Sequence, residues 1–427
     1  MIMLLLFGAV LALVLINVPI AVALGVVAVI AMVASYGVDI LPNVAITTFT
    51  GATSFPLLAI PLFILAGAIM NASGISHRLV AFASALFGWI RGGLAHVSIG
   101  SSLFFAEISG SAVADVAALG SILIPGMKEK GYPAPFAAAV MSSASTLAII
   151  IPPSIPMILY AVMAETSVVQ MFVAGIVPGV LGGIGLMMMA SYLARRYNLP
   201  RDERFSMKRV IKTFREALWA FLLPIIILGG IFTGVVTATE GAALAVVAAL
   251  AVGLLIYREL DLKHLRQAIL EGGVQTAIVM LLVATSALLG GYLSEVQAPQ
   301  ALARSVAEFT SNKWVVLGLL NVLFFFLGMF LHSAAAIILV VPVVMPLVNL
   351  VGIDPIHFGL VITINLGIGQ QTPPVASVLM VACSIAKSSV WEVTRANVWF
   401  IGVLVAILML VTYVPYTGLV LVDYFYN

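Results

Sequence analysis

Long, unbroken apolar runs separated by short polar punctuation make up most of this chain. Ten of them read as helical crossings, at about 1–16, 18–36, 55–75, 133–163, 171–194, 217–237, 239–257, 267–293, 354–385 and 397–422. Roughly 20 apolar residues in helical form cross a bilayer core. Transmembrane strands would alternate apolar and polar residues, and these runs do not. Only Asn17–Pro19 divides the first two runs, so they form either two crossings or one bent helix. Two further regions, 92–127 and 314–348, carry small polar residues at their centres, EISGSA (107–112) and LHSAAA (331–336). Each reads as a crossing pair or as a re-entrant hairpin.

Composition agrees with that pattern. Of 427 residues, 63% are hydrophobic and 8% charged, with mean hydropathy +1.21. So few charges cannot cover a soluble surface, and the fold class expected is an all-α polytopic membrane protein surrounded by lipid. The net charge of +2 carries no nucleic-acid footprint. The single cysteine, Cys383, excludes an internal disulfide and a cysteine-cluster metal site. The first Arg or Lys is Arg78, so the opening run lacks the basic flank of a signal peptide. One polar segment, 195–216, holds eight Arg/Lys against three Asp/Glu. It is expected to be a cytoplasmic interfacial helix linking two halves, 1–194 and 217–427.

Those halves align at an offset of 221 residues. Pro152–Pro153 fall on Pro373–Pro374, Pro125 on Pro346, Gly131 on Gly352 and Gly51 on Gly272. Helix breakers fix backbone geometry, so their coincidence outweighs the low identity elsewhere. Lys128 and Lys130 fall on Asn349 and Val351, while Lys387 and Arg395 fall on Thr166 and Ala174. A basic loop thus matches an uncharged one each time, as inverted repeats on opposite sides of a membrane require. Arg304 and Lys313 fit this assignment poorly. Both termini are then expected on the side of the membrane away from the cytoplasm.

The proline pairs mark the candidate chemistry. A proline removes the N–H that would bond the carbonyl four residues back. Pro152 and Pro153 are therefore expected to release the carbonyls of Ala148 and Ile149, and Pro373 and Pro374 those of Gly369 and Gln370. Open carbonyls at membrane depth are tolerated where they line a cavity or hold a cation. Hydroxyls flank both breaks: Ser145, Thr146 and Ser154 at one, Thr372 and Ser377 at the other. Ser109, Gly110 and Ser111 read either as oxygen ligands for Na⁺ at a hairpin tip or as small-residue helix packing. Asp115 lies one turn beyond Ser111, and a carboxylate within the membrane is a functional candidate. Glu107 is ambiguous; Glu165 and Glu240 sit near span ends. His332 and Ser333 mark the second tip, where the histidine reads as a packing residue or a relay. Gln370 and Gln371 are costly in lipid unless paired, and read as cavity-lining. No Walker A run, HExxH or Ser–His–Asp grouping is present, so an ATPase, a zinc protease and a hydrolase are set aside.

Five stretches together carry a family resemblance: PLLAIPLFILAGAIMNASGISHRLV (56–80), ISGSAVADVAALGSILIPGMKEKGY (108–132), IIPPSIPMILY (150–160), FLGMFLHSAAAIILVVPVVMPLV (326–348) and GIDPIHFGLVITINLGIGQQTPP (352–374). They resemble the large membrane subunit of tripartite ATP-independent periplasmic (TRAP) transporters, along the whole chain. That resemblance implies an elevator-type secondary transporter with a helical scaffold, two re-entrant hairpins and two broken helices. It implies Na⁺ as coupling ion, an organic acid as substrate, a periplasmic binding protein, and a separate small four-helix membrane subunit. Tips at Ser109–Gly110–Ser111 and His332–Ser333 would meet breaks at Ser145–Pro153 and Gly367–Pro374. Ion-binding positions would then include Gly328, Gly367 and Gly369 beside Ala148, Ile149, Pro152, Gln370, Thr372 and Pro373. Asp115, Ser154, His332, Gln371 and Ser377 would face substrate. Members of the dicarboxylate type carry an acidic residue at the position of His332 and apolar residues at Gln370 and Gln371. IGQQTPP is instead similar to the sialic acid importers, which favours sialic acid, with a C4-dicarboxylate as the alternative and a passive channel as the rival class.

Overall fold

The computed structural model describes residues 2–16, 18–201 and 204–426, and among them every regular element is a helix. Eight helices are long and apolar enough to cross a membrane, and a bent pair, Ala134–Ile150 with Ile155–Met163, makes a ninth if counted as one span. Several expected boundaries move. Residues 1–36 hold two helices, Ile2–Leu15 and Ile20–Tyr36, the second entered through Pro19. The run 397–422 is split, because Pro415 separates Val390–Tyr413 from Tyr416–Tyr426. The segment 195–216 is not one helix. Val168–Arg196 ends before a left-handed Asn198 (φ 52°) and Pro200, and the next helix starts at Met207 and runs to Phe232. Its apolar continuation beyond 216 keeps extending the backbone ladder, so linker and crossing become one rod. Three helices had no counterpart in the expected crossings: Leu41–Ala52, Ile75–Phe87 and Ala298–Phe309.

Two hairpins and two broken helices form the centre. The first hairpin pairs Gly93–Ser109 with Ala112–Glu129, and the second pairs Lys313–Phe330 with Ser333–Leu350. Each leads into a broken helix: Ala134–Ser145, continued by Leu147–Ile150, then Ile155–Met163; and Pro355–Gly369, then Ser377–Ala386. The 221-residue shift carries Ala112–Glu129 onto Ser333–Leu350 and Ala134 onto Pro355. It also carries Leu41 onto Leu262, so Leu41–Ala52 and Ala59–Ala72 share the register of one helix, Leu262–Glu295. At 34 residues that helix is about 51 Å long, and the Ser54–Pro56 interruption divides its counterpart.

The hairpins open toward opposite ends of the molecule. Leu94 N–H donates to Tyr132 OH (3.3 Å), closing the base of the first. Gly92 N–H donates to the Pro200 carbonyl (2.9 Å), so that base sits beside the basic segment. Lys128 Nζ donates to the Ala386 carbonyl (2.9 Å), close to the start of Val390–Tyr413. This helix of 24 residues extends about 36 Å to Tyr413, whose ring lies 6.1 Å from Trp314 at the base of the second hairpin. The second hairpin's inner arm is 78% buried and its outer arm 33%, so the inner arm joins the core and the outer one faces lipid.

The helix Ile75–Phe87 connects Ala59–Ala72 to the first hairpin, and its start is pinned. Gly74 turns the chain at φ +74°, and a Cβ there would land on the Glu259 carboxylate. Arg78 donates to both Glu259 oxygens and to the Gly74 carbonyl (3.0 Å), with its guanidinium 3.8 Å above the Tyr257 ring. Tyr257 OH in turn donates to the Glu216 carbonyl (2.9 Å). The hydrogen bond from Arg78 holds the Glu259 carboxyl below the ordinary carboxylate range. Its contribution is therefore present above about pH 4.3, the unfolded glutamate value, and is lost as pH falls through the depressed one. Arg78→Glu is expected to lower the melting temperature of purified protein, and Arg78→Glu with Glu259→Arg to restore most of it. Failure of the double swap to recover stability would mean the pair is incidental.

Candidate functional site

Each hairpin is seated on a break, at its tip in the first and in the last turn before its tip in the second, and glycine makes the contact possible. Gly110 adopts the left-handed conformation (φ +58°) at the end of its arm. A Cβ on it would lie 2.9 Å from the Pro153 carbonyl oxygen. The Gly110 carbonyl accepts from Ile155 N–H (3.4 Å). At the second site Gly328 and Gly369 meet backbone to backbone, a Cβ on Gly369 falling 2.6 Å from Gly328 Cα. The Met329 carbonyl accepts from Val375 N–H (3.2 Å) and Ala376 N–H (3.4 Å). The two broken helices also touch each other, because a Cβ on Gly367 would lie 2.8 Å from Thr146 Cγ2. Thr146 and Gly367 are equivalent at the 221 offset, so the approximate two-fold relation passes through their contact. The peptide bonds Pro152–Pro153 and Pro373–Pro374 are both cis.

The prolines free fewer carbonyls than the sequence suggests. The Gly369 carbonyl accepts from Thr372 N–H (2.8 Å) and the Gln370 carbonyl from Val378 N–H (3.1 Å). The Ile149 carbonyl accepts from Ser154 Oγ (2.6 Å). Only for Ala148, among the described residues, is no donor seen at the carbonyl. The reason is that buried backbone polar groups find partners wherever the chain can turn to supply them. Here the tight turn after Gly369 and the Ser154 hydroxyl do so. The open polarity is instead in side chains. Ser145 Oγ, Ser333 Oγ, Ser377 Oγ and both amide atoms of Gln370 are buried without a protein partner. All four residues lie at a tip or a break.

The two glutamines separate sharply. Gln371 is fully buried, and its carboxamide is engaged at both ends: Oε1 accepts from Ser143 Oγ (2.7 Å) and Asn397 Nδ2 (3.1 Å), and Nε2 donates to Thr146 Oγ1. It braces rather than lines. Ser154 and Thr372 also donate, the latter to the Ile368 carbonyl (3.0 Å), yet each hydroxyl oxygen keeps lone pairs to offer. Ser111 caps its helix by accepting from Ala114 N–H (3.5 Å). Asp115 is fully buried one turn further on. His332 occupies the equivalent capping position without a side-chain cap bond, and its side chain is exposed. The Ser109 side chain lies outside the described residues. Sequence reasoning missed Ser143 and Asn397; Asn397 had a signal, since it is an amide at the head of the apolar run 397–422.

No three His, Cys, Asp or Glu converge on a metal site among the described residues. What the tips and breaks offer are hydroxyl, amide and carbonyl oxygens, a donor set for a hard cation. The breaks differ in access: residues 151–154 are wholly buried, whereas Pro374 and Val375 are exposed.

The family model for the DctM component of tripartite ATP-independent periplasmic transporters matches residues 7–417. The chain belongs to that family. This TRAP subunit is 40% identical to the C4-dicarboxylate TRAP transporter large permease DctM of Pseudomonas aeruginosa, covering 90% of both chains. It is 38% identical to the isethionate TRAP transporter permease DctMQ of Oleidesulfovibrio alaskensis, over 96% of this chain and 65% of that one. It is 36% identical to the sialic acid TRAP transporter permease SiaT of Haemophilus influenzae, over 85% of this chain and 59% of that one. The chain thus spans under two thirds of these two longer relatives. Its fold is similar to that of the YdaH transporter of Alcanivorax borkumensis, with TM-score 0.64, 16% identity and 90% of each chain covered. The TRAP family is one of multi-pass transporter permeases, so this subunit is a large permease and not an enzyme.

Proposed function

We propose that this large permease couples the import of an organic acid to Na⁺ entry across a bacterial inner membrane. It would act with a periplasmic binding protein and a small four-helix membrane subunit. The observation that carries this reading is the gathering of partnerless buried polar groups, Ser145, Ser333, Gln370 and Ser377, at the two tip–break contacts. Leaving such groups dry costs about 1–3 kcal/mol each, and Na⁺ with a bound carboxylate would offset that cost. Ions held by Ser111, Ser145, the Ala148 carbonyl, Ser333 and Thr372 would draw each tip onto its break and complete a substrate site beside Gln370. The two hairpins with their breaks would then move as one body against the remaining helices, in an elevator cycle between inverted repeats. Gln370, free to bond a ligand, favours a polyhydroxylated acid such as sialic acid. The bonds that engage both ends of Gln371 take much of that polarity away and favour a second reading, a C4-dicarboxylate.

Proteoliposomes containing this chain, its small subunit and its binding protein are expected to accumulate labelled acid only under an inward Na⁺ gradient. Equal uptake with K⁺ in place of Na⁺ would sink the coupling. Competition by unlabelled sialic acid against unlabelled C4-dicarboxylate separates the two substrates.

A further inference from the structure

The side-chain tie around Gln371 has a task that neither ion nor substrate binding requires. Its members come from three elements: Ser143 and Thr146 on the first broken helix, Gln371 at the second break, and Asn397 on Val390–Tyr413. All four are fully buried. Ser143 Oγ also lies 2.7 Å from Asn397 Oδ1, and its one proton goes either to that oxygen or to Gln371 Oε1, while Asn397 Nδ2 donates to Gln371 Oε1 in either case. The bond from Gln371 Nε2 to Thr146 Oγ1 joins one break directly to the other, beside the contact of Thr146 with Gly367.

Each member of the tie on the breaks is the sequence neighbour of an open polar group. Ser142 precedes Ser143, Ser145 precedes Thr146 and Gln370 precedes Gln371. Ser142 Oγ, Ser145 Oγ and the Gln370 amide all lack a protein partner. Neighbours on a helix point about 100° apart, so one residue of each pair serves the brace while the next is left open. A shift of the backbone at one half-site therefore moves the tie and, through it, the other half-site.

We propose that Gln371 is a positioning residue that couples the two half-sites, so that filling one raises the affinity of the other. This rests on the Na⁺-binding reading above. Coupling through a buried polar tie is symmetric between the sites it joins.

The test uses Thr146→Val, which removes the acceptor on one side of the cross-break bond and keeps the methyl that faces Gly367. Gln371→Leu is the second variant. Calorimetric Na⁺ titration of the purified chain, and Na⁺-dependent uptake in proteoliposomes, give the readouts. Wild type is expected to bind Na⁺ with a Hill coefficient above 1. Thr146→Val is expected to bring the coefficient to about 1 and to raise half-saturation roughly fivefold or more, with a lowered melting temperature because Gln371 Nε2 loses its buried acceptor. A Thr146→Val protein that keeps wild-type cooperativity while only its melting temperature or maximal rate falls would overturn the coupling and leave a packing brace. A wild type that binds Na⁺ without cooperativity also overturns it, with the Na⁺ reading intact. A wild type that binds no Na⁺ overturns both.

Discussion

Gly369→Val is expected to leave the protein in the membrane and to cut uptake below about a tenth of wild type. The valine Cβ would lie 2.6 Å from both Gly328 C and Gly328 Cα, and 3.1 Å from Met329 N. Those are backbone atoms, so no side chain can swing aside. Relief requires the second tip to lift off its break, which breaks the Met329 carbonyl's bonds to Val375 and Ala376. Overpacking of this kind costs about 1–3 kcal/mol, and 1.4 kcal/mol is a factor of ten. The opposing contact gives a control: Gly328→Val places its Cβ 3.0 Å from Gly369 Cα and should be impaired in the same way. At Gly273 a Cβ meets nothing within 4 Å, so Gly273→Ala should transport normally. Uptake in cells, normalised to membrane protein, measures all three. Wild-type transport by Gly369→Val would show that the tip does not need to seat.

Gln370→Leu is expected to make the protein more heat-resistant and a worse transporter. The Gln370 amide is buried with neither its N–H₂ nor its carbonyl oxygen bonded to protein. In the empty protein an apolar side chain of similar size removes that desolvation cost, worth about 1–3 kcal/mol. Function loses what stability gains, because the amide is then unavailable to a ligand. A rise in melting temperature together with at least roughly tenfold weaker substrate affinity is the expected pair of results. Gln371→Leu should do the opposite to stability, since it strips partners from Ser143, Thr146 and Asn397. If both leucine variants lower the melting temperature alike, the distinction between an open and a braced glutamine is wrong.

The contrast between these two residues shows what the sequence could express. Two adjacent glutamines in an apolar run say that hydrogen bonds are needed at that depth. They do not say which amide finds its partners in the fold, because those partners, Ser143 and Asn397, stand 228 and 26 residues away. The proline pairs located both breaks, since the missing N–H is a local property of the chain. The fate of the freed carbonyls was not local. It depended on how tightly the chain turned after Gly369, and on Ser154 reaching back to Ile149. Helix ends were legible where a proline or glycine sets them and illegible near 216, where the basic stretch from Met207 and the apolar one after it form one helix to Phe232. The short helices Leu41–Ala52, Ile75–Phe87 and Ala298–Phe309 escaped a reading tuned to membrane-length runs, because each is only 12 or 13 residues long.

The constant spacing of the two halves sets a mechanical tolerance. Pro152 and Pro373 each stand 41 residues beyond the position that precedes the inner arm, Ser111 and His332. One residue inserted into an arm would swing every following side chain by about 100° and slide it 1.5 Å along the axis. The glycine that lets a backbone approach would then face away, and a bulky neighbour would take its place. Length between tip and break therefore tolerates less change than the side chains in between. Point substitutions along the inner arms should be absorbed one by one, while a single-residue insertion or deletion there should be fatal wherever it falls.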